Sequence, residues 1–313
     1  MRVVVALGGN ALLQRGEKPD AGIQLEHIRQ AAQALAPLAA KHELIICHGN
    51  GPQIGMLALE SERDPMLTSP YPLDVLGAQT QGMIGYWLAQ CLRNAGVTKP
   101  VLTIVTQTLV SRSDPAFARP EKFVGPVYTH ENAQQLADRH GWSIAADGGQ
   151  WRRTVPSPTP LRIIEQESIE GLLRGEVVLI CGGGGGVPVA DDGSGQLSGI
   201  EAVVDKDLTA ALLAIALHAD RLLILTDVPA VMAHYGTPQA APLHHIDLDE
   251  LTRLQFPAGS MGPKIAACRQ FVAATGQPAA IGSLSDAASL LAGTTGTIIT
   301  ASRSQAQAVP LTR

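Results

Sequence analysis

Short aliphatic runs alternate along the chain with longer segments in which apolar residues recur every three or four positions. Val3 to Leu7, Leu44 to Cys47, Val101 to Val105, Val177 to Ile180, Leu222 to Leu225, Ala279 to Ile281 and Thr297 to Ile299 are such runs. Uninterrupted aliphatic runs of this length predict strands buried on both faces, as in a parallel sheet. Between them, residues 22–40, 53–60 and 71–93 carry helical spacing, with Pro37 expected to bend or end the first of these helices. Asp247 is placed to cap a short helix over 247–254, and another helix begins near Lys264. Strand and helix alternating in this way predict an α/β fold with a mostly parallel open sheet between helix layers.

Three strands run directly into glycine. The first ends at Gly8-Gly9-Asn10, the second at His48-Gly49-Asn50-Gly51-Pro52, and the run Val177 to Ile180 at Cys181 followed by Gly182 to Gly186. Turns at the carboxyl ends of parallel strands are where open α/β sheets bind ligands. Glycine leaves backbone N–H groups uncovered for a polyanion, and Asn10 and Asn50 are suited either to a left-handed turn or to donating amide hydrogen bonds. After the five glycines, Asp205-Lys206-Asp207 opens an Ala/Leu-rich helix, which sets charged groups at the positive end of a helix dipole. There is no G-x-x-x-x-G-K-[ST] loop. The glycines are not followed at once by a helical pattern, as a dinucleotide fingerprint requires, which argues against an NAD-dependent oxidoreductase.

The texture changes over 111–160, which is rich in Pro, Gly and charge and holds Trp142 and Trp151. A structureless loop of that length is improbable, so we expect a small inserted subdomain or lid with a hairpin at Asp147-Gly148-Gly149, the rest of 1–313 forming one domain. Lys122 lies in its Pro-flanked arm, Arg152 and Arg153 near its return.

Composition narrows the chemistry. Of 313 residues 45% are hydrophobic and 16% charged, as in a soluble globular protein, while aromatics at 4% and a net charge of −5 leave little for stacking on or attracting nucleic acid. The six lysines (18, 41, 99, 122, 206, 264) are few enough for their positions to be informative. Lys264 sits where a helix starts, against the dipole, which points to a nearby anion. The four dispersed cysteines (Cys47, Cys91, Cys181, Cys268) form no ligand cluster and read as reduced thiols. No apolar run reaches transmembrane length, and we expect a cytoplasmic protein without membrane partners. Signatures of acyl transfer and metalloproteolysis are missing. Glycine cradles with a few convergent lysines suit phosphoryl transfer, and with no evident general base an already anionic acceptor fits best.

The segments ALGGNAL (6–12), HGNGPQIG (48–55), YPLDVLGAQTQGMIGYWL (71–88), DPAFARPEKFVGP (114–126), WRRTVPSP (151–158), CGGGGGVPV (181–189), EAVVDKDLTAALL (201–213) and GSMGPK (259–264) resemble, jointly and in order, the carbamate kinases of the amino acid kinase superfamily. The resemblance spans essentially the whole chain. It implies the amino acid kinase fold, an eight-stranded open sheet between helix layers with a protruding subdomain. It also implies a homodimer and the reaction ATP + carbamate ⇌ ADP + carbamoyl phosphate, with Mg²⁺ mainly on the nucleotide phosphates and no metal ligand assigned to the protein. Many members run toward ATP in the catabolism of nitrogen compounds. Carried over, Gly8, Gly9, Asn10, Gly49, Asn50 and Gly51 surround the transferred phosphoryl group and carbamate. Lys122 reaches in from the subdomain, Lys206 and Lys264 contact phosphates, and Asp207 organises the lysines. The nucleotide lies near Gly182, Gly183 and Gly184, Thr226, Asp227, Tyr235 and Met261. Where relatives acting on N-acetylglutamate carry a lysine before the first glycines, this chain has Ala6, and Lys122 is the substitute. It departs from many members at Pro229, where they have an acidic residue. The alternatives are a kinase for another small acid on the same fold and a non-catalytic anion or nucleotide sensor.

Overall fold

The computed structural model describes residues 1–14, 16–254, 256 and 261–302, and for Asn10 the backbone alone. Its centre is an eight-stranded sheet built from β1 (Arg2–Leu7), β2 (Glu43–His48), β3 (Val101–Thr103), β4 (Val178–Ile180), β5 (Arg221–Thr226), β6 (His245–Asp247), β7 (Ala279–Ser283) and β8 (Thr297–Thr300). The strand order is β6-β8-β7-β5-β1-β2-β4-β3. All neighbours pair in parallel except β7 and β8.

The period of two along a strand divides the core into two layers. In β1, Val3, Val5 and Leu7 face α1 (Ala21–Lys41), α3 (Leu73–Asn94) and the short helix Ala287–Leu291. Val4 and Ala6 face the helix Gln166–Leu173, α4 (Lys206–Ala216) and α5 (Met261–Thr275). Every residue from Val3 to Leu7 is fully buried, as the unbroken aliphatic run requires. The fold is thus the three-layer open α/β arrangement that the alternation of runs predicts.

Two local expectations are revised. Pro37 does not end its helix, and α1 continues to Lys41. The stripe Ile28, Ala31, Ala32, Leu35, Leu38 and Ala39 is buried against the sheet on both sides of it, and that burial outweighs the backbone hydrogen bond proline forfeits. The run Val101 to Val105 stops as a strand at Thr103. Gln107–Leu109 then pairs with Val187–Asp191 and Arg162–Ile163 in a separate four-stranded sheet completed by Leu197–Gly199.

Residues 122–155 build a further three-stranded antiparallel sheet, Lys122–Tyr128, Gln150–Val155 and Ser143–Asp147, with the helix His130–His140 packed on it. Asp147 pairs with Gln150 across Gly148 and Gly149, both at positive φ, which is the two-residue hairpin anticipated there. Arg153 ties this unit to its surroundings. Its guanidinium lies 4.6 Å over the Trp142 ring, 3.7 Å from Glu62 of α2 (Gly51–Arg63) and 3.6 Å from Glu201.

Candidate active site

The carboxyl ends of β1, β2 and β4 lie side by side, because Leu7 pairs with His48 and Ile46 with Ile180. Their glycine turns therefore converge at one edge. A β-carbon on Gly49 would stand 3.0 Å from the Gly9 nitrogen, so the first two turns touch only because a side chain is lacking. Above them opens a cleft of about 770 Å³, within the range of small-molecule sites. Gly9, Gly49, Asn50, Gly51 and Gly184 line it together with Lys122, Asp205, Lys206, Asp207 and Lys264.

Asp205 starts the charged wall by capping α4, its Oδ1 accepting from the N–H groups of Asp207 at 2.9 Å and Leu208 at 3.3 Å. The first two helical residues, Lys206 and Asp207, are thereby fixed at the cleft. Lys206 Nζ donates to Asp207 Oδ1 at 2.5 Å, and Lys264 Nζ, from the first turns of α5, donates to Asp207 Oδ2 at 3.1 Å. Lys122 Nζ reaches over from the three-stranded unit to Asp205 Oδ2 at 2.8 Å. Three ammonium groups thus cluster on two carboxylates, a local surplus of positive charge at this part of the cleft, while Glu121, Asp147 and Arg152 bring its whole lining to four acidic and four basic side chains. Burial works against the charged form of Lys206, as does Lys264 beside it, and outweighs Asp207, so its pKa falls below the usual lysine value. Burial opposes charge on Lys264 too, but there the Asp207 carboxylate prevails and the pKa rises. Burial would raise the Asp205 pKa, yet Lys122 and Lys206 hold that carboxyl well below its usual range.

The start of α2 is a second source of positive potential. The Asn50 side chain does not cap α2, whose first residues Gly51 and Pro52 line the cleft. An uncapped helix N-terminus favours an anion in front of it. Asn50, the residue before that helix, instead donates its amide to Thr80 Oγ1 at 2.9 Å. His48 is buried, and its Nδ1–H donates to the Gly49 carbonyl at 3.0 Å. Burial, with a smaller contribution from Lys206, depresses its pKa to about 4, so it is neutral at pH 7.

The structure gathers Gly9, Gly49, Asn50, Gly51, Gly184, Lys122, Lys206, Asp207 and Lys264 around one cleft. Gly8 sits just outside that lining, its N–H donated to the Leu225 carbonyl. Gly182 and Gly183 are buried behind it. The polyglycine run is close-packed: a β-carbon on Gly184, at φ +63°, would lie 2.1 Å from Asn50 Nδ2. Thr226, Asp227, Tyr235 and Met261 are also outside the lining. Thr226 donates to Asp227 Oδ1 at 3.0 Å at the end of β5, and the Asp227 charge helps to raise the Lys264 pKa. Tyr235 is 75% exposed and Met261 opens α5. Pro229 is exposed in the bend after β5. The Asn10 side chain and Gly259-Ser260 lie outside the described residues. The sequence offered Asp205 only as a helix opener and gave no role to Thr80. Arg152, read there only by its position, pairs with Asp147 at 3.3 Å on the cleft wall.

A cleft lined by glycine turns and three lysines at the carboxyl edge of an open α/β sheet suits a phosphotransferase, and the chain's relatives are of that class. Residues 1–283 match the amino acid kinase family, and the chain belongs to it. Within that family it falls among the carbamate kinases. It is 51% identical over 297 residues to carbamate kinase of Escherichia coli (strain K12), covering 95% of this chain and 98% of that one. To carbamate kinase of Rhizobium meliloti (strain 1021) it is 48% identical over 306 residues, covering 96% and 94%. Carbamate kinase from Giardia lamblia bound to citric acid superposes with a TM-score of 0.90 at 40% identity, covering 96% of this chain and 98% of that one. The same enzyme bound to AMP-PNP gives 0.87 at 40% identity, with the same coverage.

Proposed function

We propose that this chain transfers a phosphoryl group reversibly between ATP and carbamate, giving ADP and carbamoyl phosphate. The observation that carries the reading is the convergence of Lys122, Lys206 and Lys264, seated on Asp205 and Asp207, in one cleft with the glycine turns at Gly9, Gly49 and Gly51. Phosphoryl transfer asks mainly for positioning and neutralisation of charge on the equatorial oxygens. The lysines provide that charge, and the N-terminus of α2 adds to it. A carbamate oxygen is already anionic, so it attacks phosphorus without losing a proton. His48, neutral and engaged with the Gly49 carbonyl, is not needed as a base.

The nucleotide occupies the side of the cleft toward Thr226, Asp227, Tyr235 and Met261, with the unit 122–155 as a lid that brings Lys122 over the phosphates. The donor set does not fit a metal cage. Asp205 and Asp207 are engaged by lysines, and among the described residues no three His, Cys, Asp or Glu side chains gather to hold an ion. In this reading Mg²⁺ is carried mainly by the nucleotide phosphates, as is common for this ion. A homodimer working in the cytoplasm toward ATP completes the reading. No helix among the described residues is long and apolar enough to cross a membrane.

The test is ATP formation from ADP, Mg²⁺ and fresh carbamoyl phosphate, followed by luminescence. We expect turnover by the wild type and a loss of roughly a hundredfold or more in Lys206→Ala and Lys264→Ala, typical of a removed electrostatic stabiliser. No ATP from a wild-type chain that still binds ADP would transfer the assignment to another small acid or to an anion sensor.

A further inference from the structure

Asn50 lines the cleft, is only 4% exposed, and has an amide whose orientation is fixed from behind. Thr80, fully buried in α3, donates its hydroxyl proton to the Gly77 carbonyl at 2.8 Å. A hydroxyl has one proton, so toward Asn50 it can only accept. The Asn50 nitrogen must therefore face Thr80, at 2.9 Å, and the carbonyl oxygen Oδ1 is the end left over. Among the described residues Oδ1 accepts no hydrogen bond, although its residue is nearly buried. Gly184 leaves room for this amide, since a β-carbon there would overlap both amide heteroatoms, at 2.1 Å from Nδ2 and 2.6 Å from Oδ1.

We infer that Thr80 is a positioning residue that locks Asn50 with its carbonyl oxygen toward the acceptor, so that the site selects an acceptor bearing an N–H donor over one bearing a methyl group. The inference rests on the proposed reaction and deepens it. Carbamate and carbamoyl phosphate carry an amino group that Asn50 Oδ1 accepts from. Acetate and acetyl phosphate have nearly the same shape, with a methyl group in that place. A methyl group would leave a nearly buried carbonyl unpaired, and sites built around a hydrogen bond reject analogues that lack the donor far more strongly than apolar pockets reject a missing methylene. Without the Thr80 hydroxyl the amide is free to turn, and Nδ2 toward the acceptor no longer distinguishes the two in this sense. The dry surroundings of the Thr80–Asn50 bond make its loss consequential.

The experiment measures kcat/KM for ATP formation with carbamoyl phosphate and with acetyl phosphate, in the wild type, Thr80→Val and Thr80→Ser. The wild type should prefer carbamoyl phosphate by roughly a hundredfold or more. Thr80→Val, of nearly the same shape, should shrink that ratio by about tenfold, the scale of one hydrogen bond to a substrate. Thr80→Ser should restore it. A purely structural role would lower both substrates together with the ratio unchanged, and that result overturns the inference, as does a valine variant equal to the wild type. If Thr80→Val does not fold, Thr80→Ala takes its place in the same comparison, and a wild-type ratio near one overturns the inference by itself. A wild type that makes ATP from acetyl phosphate but none from carbamoyl phosphate would overturn both this and the proposed reaction, whereas preference without dependence on Thr80 removes only the inference.

Discussion

The two ends of the central sheet are both charged, and they use charge differently. At the amino ends of the strands Arg2 Nε pairs with Glu43 Oε2 at 2.9 Å, Asp220 accepts from the Arg2 N–H at 2.7 Å, and Lys99 donates to the His42 carbonyl at 2.8 Å. The Arg2 and Glu43 side chains keep 28% and 39% of their exposure, so water screens them and their partners are replaceable. At the carboxyl ends the Asp207 side chain keeps 3% and its two lysines 11% each. There the protein has removed charges from water and holds them with an unequal count of partners. Burial of that kind is weak evidence for stability, because desolvation offsets much of the attraction. The arrangement makes sense as a site awaiting an anion.

That contrast can be broken most directly at Asp207. Asp207→Ala leaves Lys206 and Lys264 buried without their shared counter-charge and should lower unfolding stability by about 3–5 kcal/mol, measured in urea, and abolish turnover. Stability close to wild type would mean the two lysines are hydrated and the wall is not dry.

A second, smaller effect concerns pH. The folded His48 pKa of about 4 lies below the ordinary 6.5, so the unfolded chain takes up a proton that the folded chain refuses. Stability is full above pH 6.5 and declines as pH falls from there to about 4, by about 3 kcal/mol in all. Urea titrations across that window should show the slope, and His48→Gln should lack this contribution. An unchanged slope would place the acid sensitivity elsewhere.

The smallest effect is expected at the other end of the sheet. Glu43→Ala breaks the exposed pair with Arg2 and should cost about 1 kcal/mol or less, with kcat for ATP formation unaltered. A loss comparable to that of Asp207→Ala would erase the distinction between the two ends.

Much of this was legible in the residues themselves. Val3 to Leu7 and Leu44 to Cys47 read as buried parallel strands because both faces of such strands are covered. Gly148-Gly149 read as a hairpin because two successive residues at positive φ favour glycine. Lys122, Lys206 and Lys264 stood out because lysines are few, and the cleft contains all three. Other features were not legible, each for a physical reason. Asp205 looks like any helix cap, and its second oxygen meets Lys122 only because a separate sheet carries that lysine across 83 residues of sequence. Pro37 reads as a helix breaker until the buried stripe on both sides of it is seen. The five glycines suggest an open anion cradle, whereas most of them lie outside the cleft lining, packed against residues that include Cys47, His48, Gln81, Thr209 and the Val204 backbone.

The sequence by itself determined the layers, the strands that end in glycine and the residue types available for chemistry, since these follow from local period, turn preference and charge. Only the tertiary structure decided which carboxylate each lysine rests on, that His48 is neutral, and which end of the Asn50 amide is left for a ligand. Those outcomes depend on desolvation and on hydrogen bonds between residues tens of positions apart, and neither is a property of any one stretch of chain.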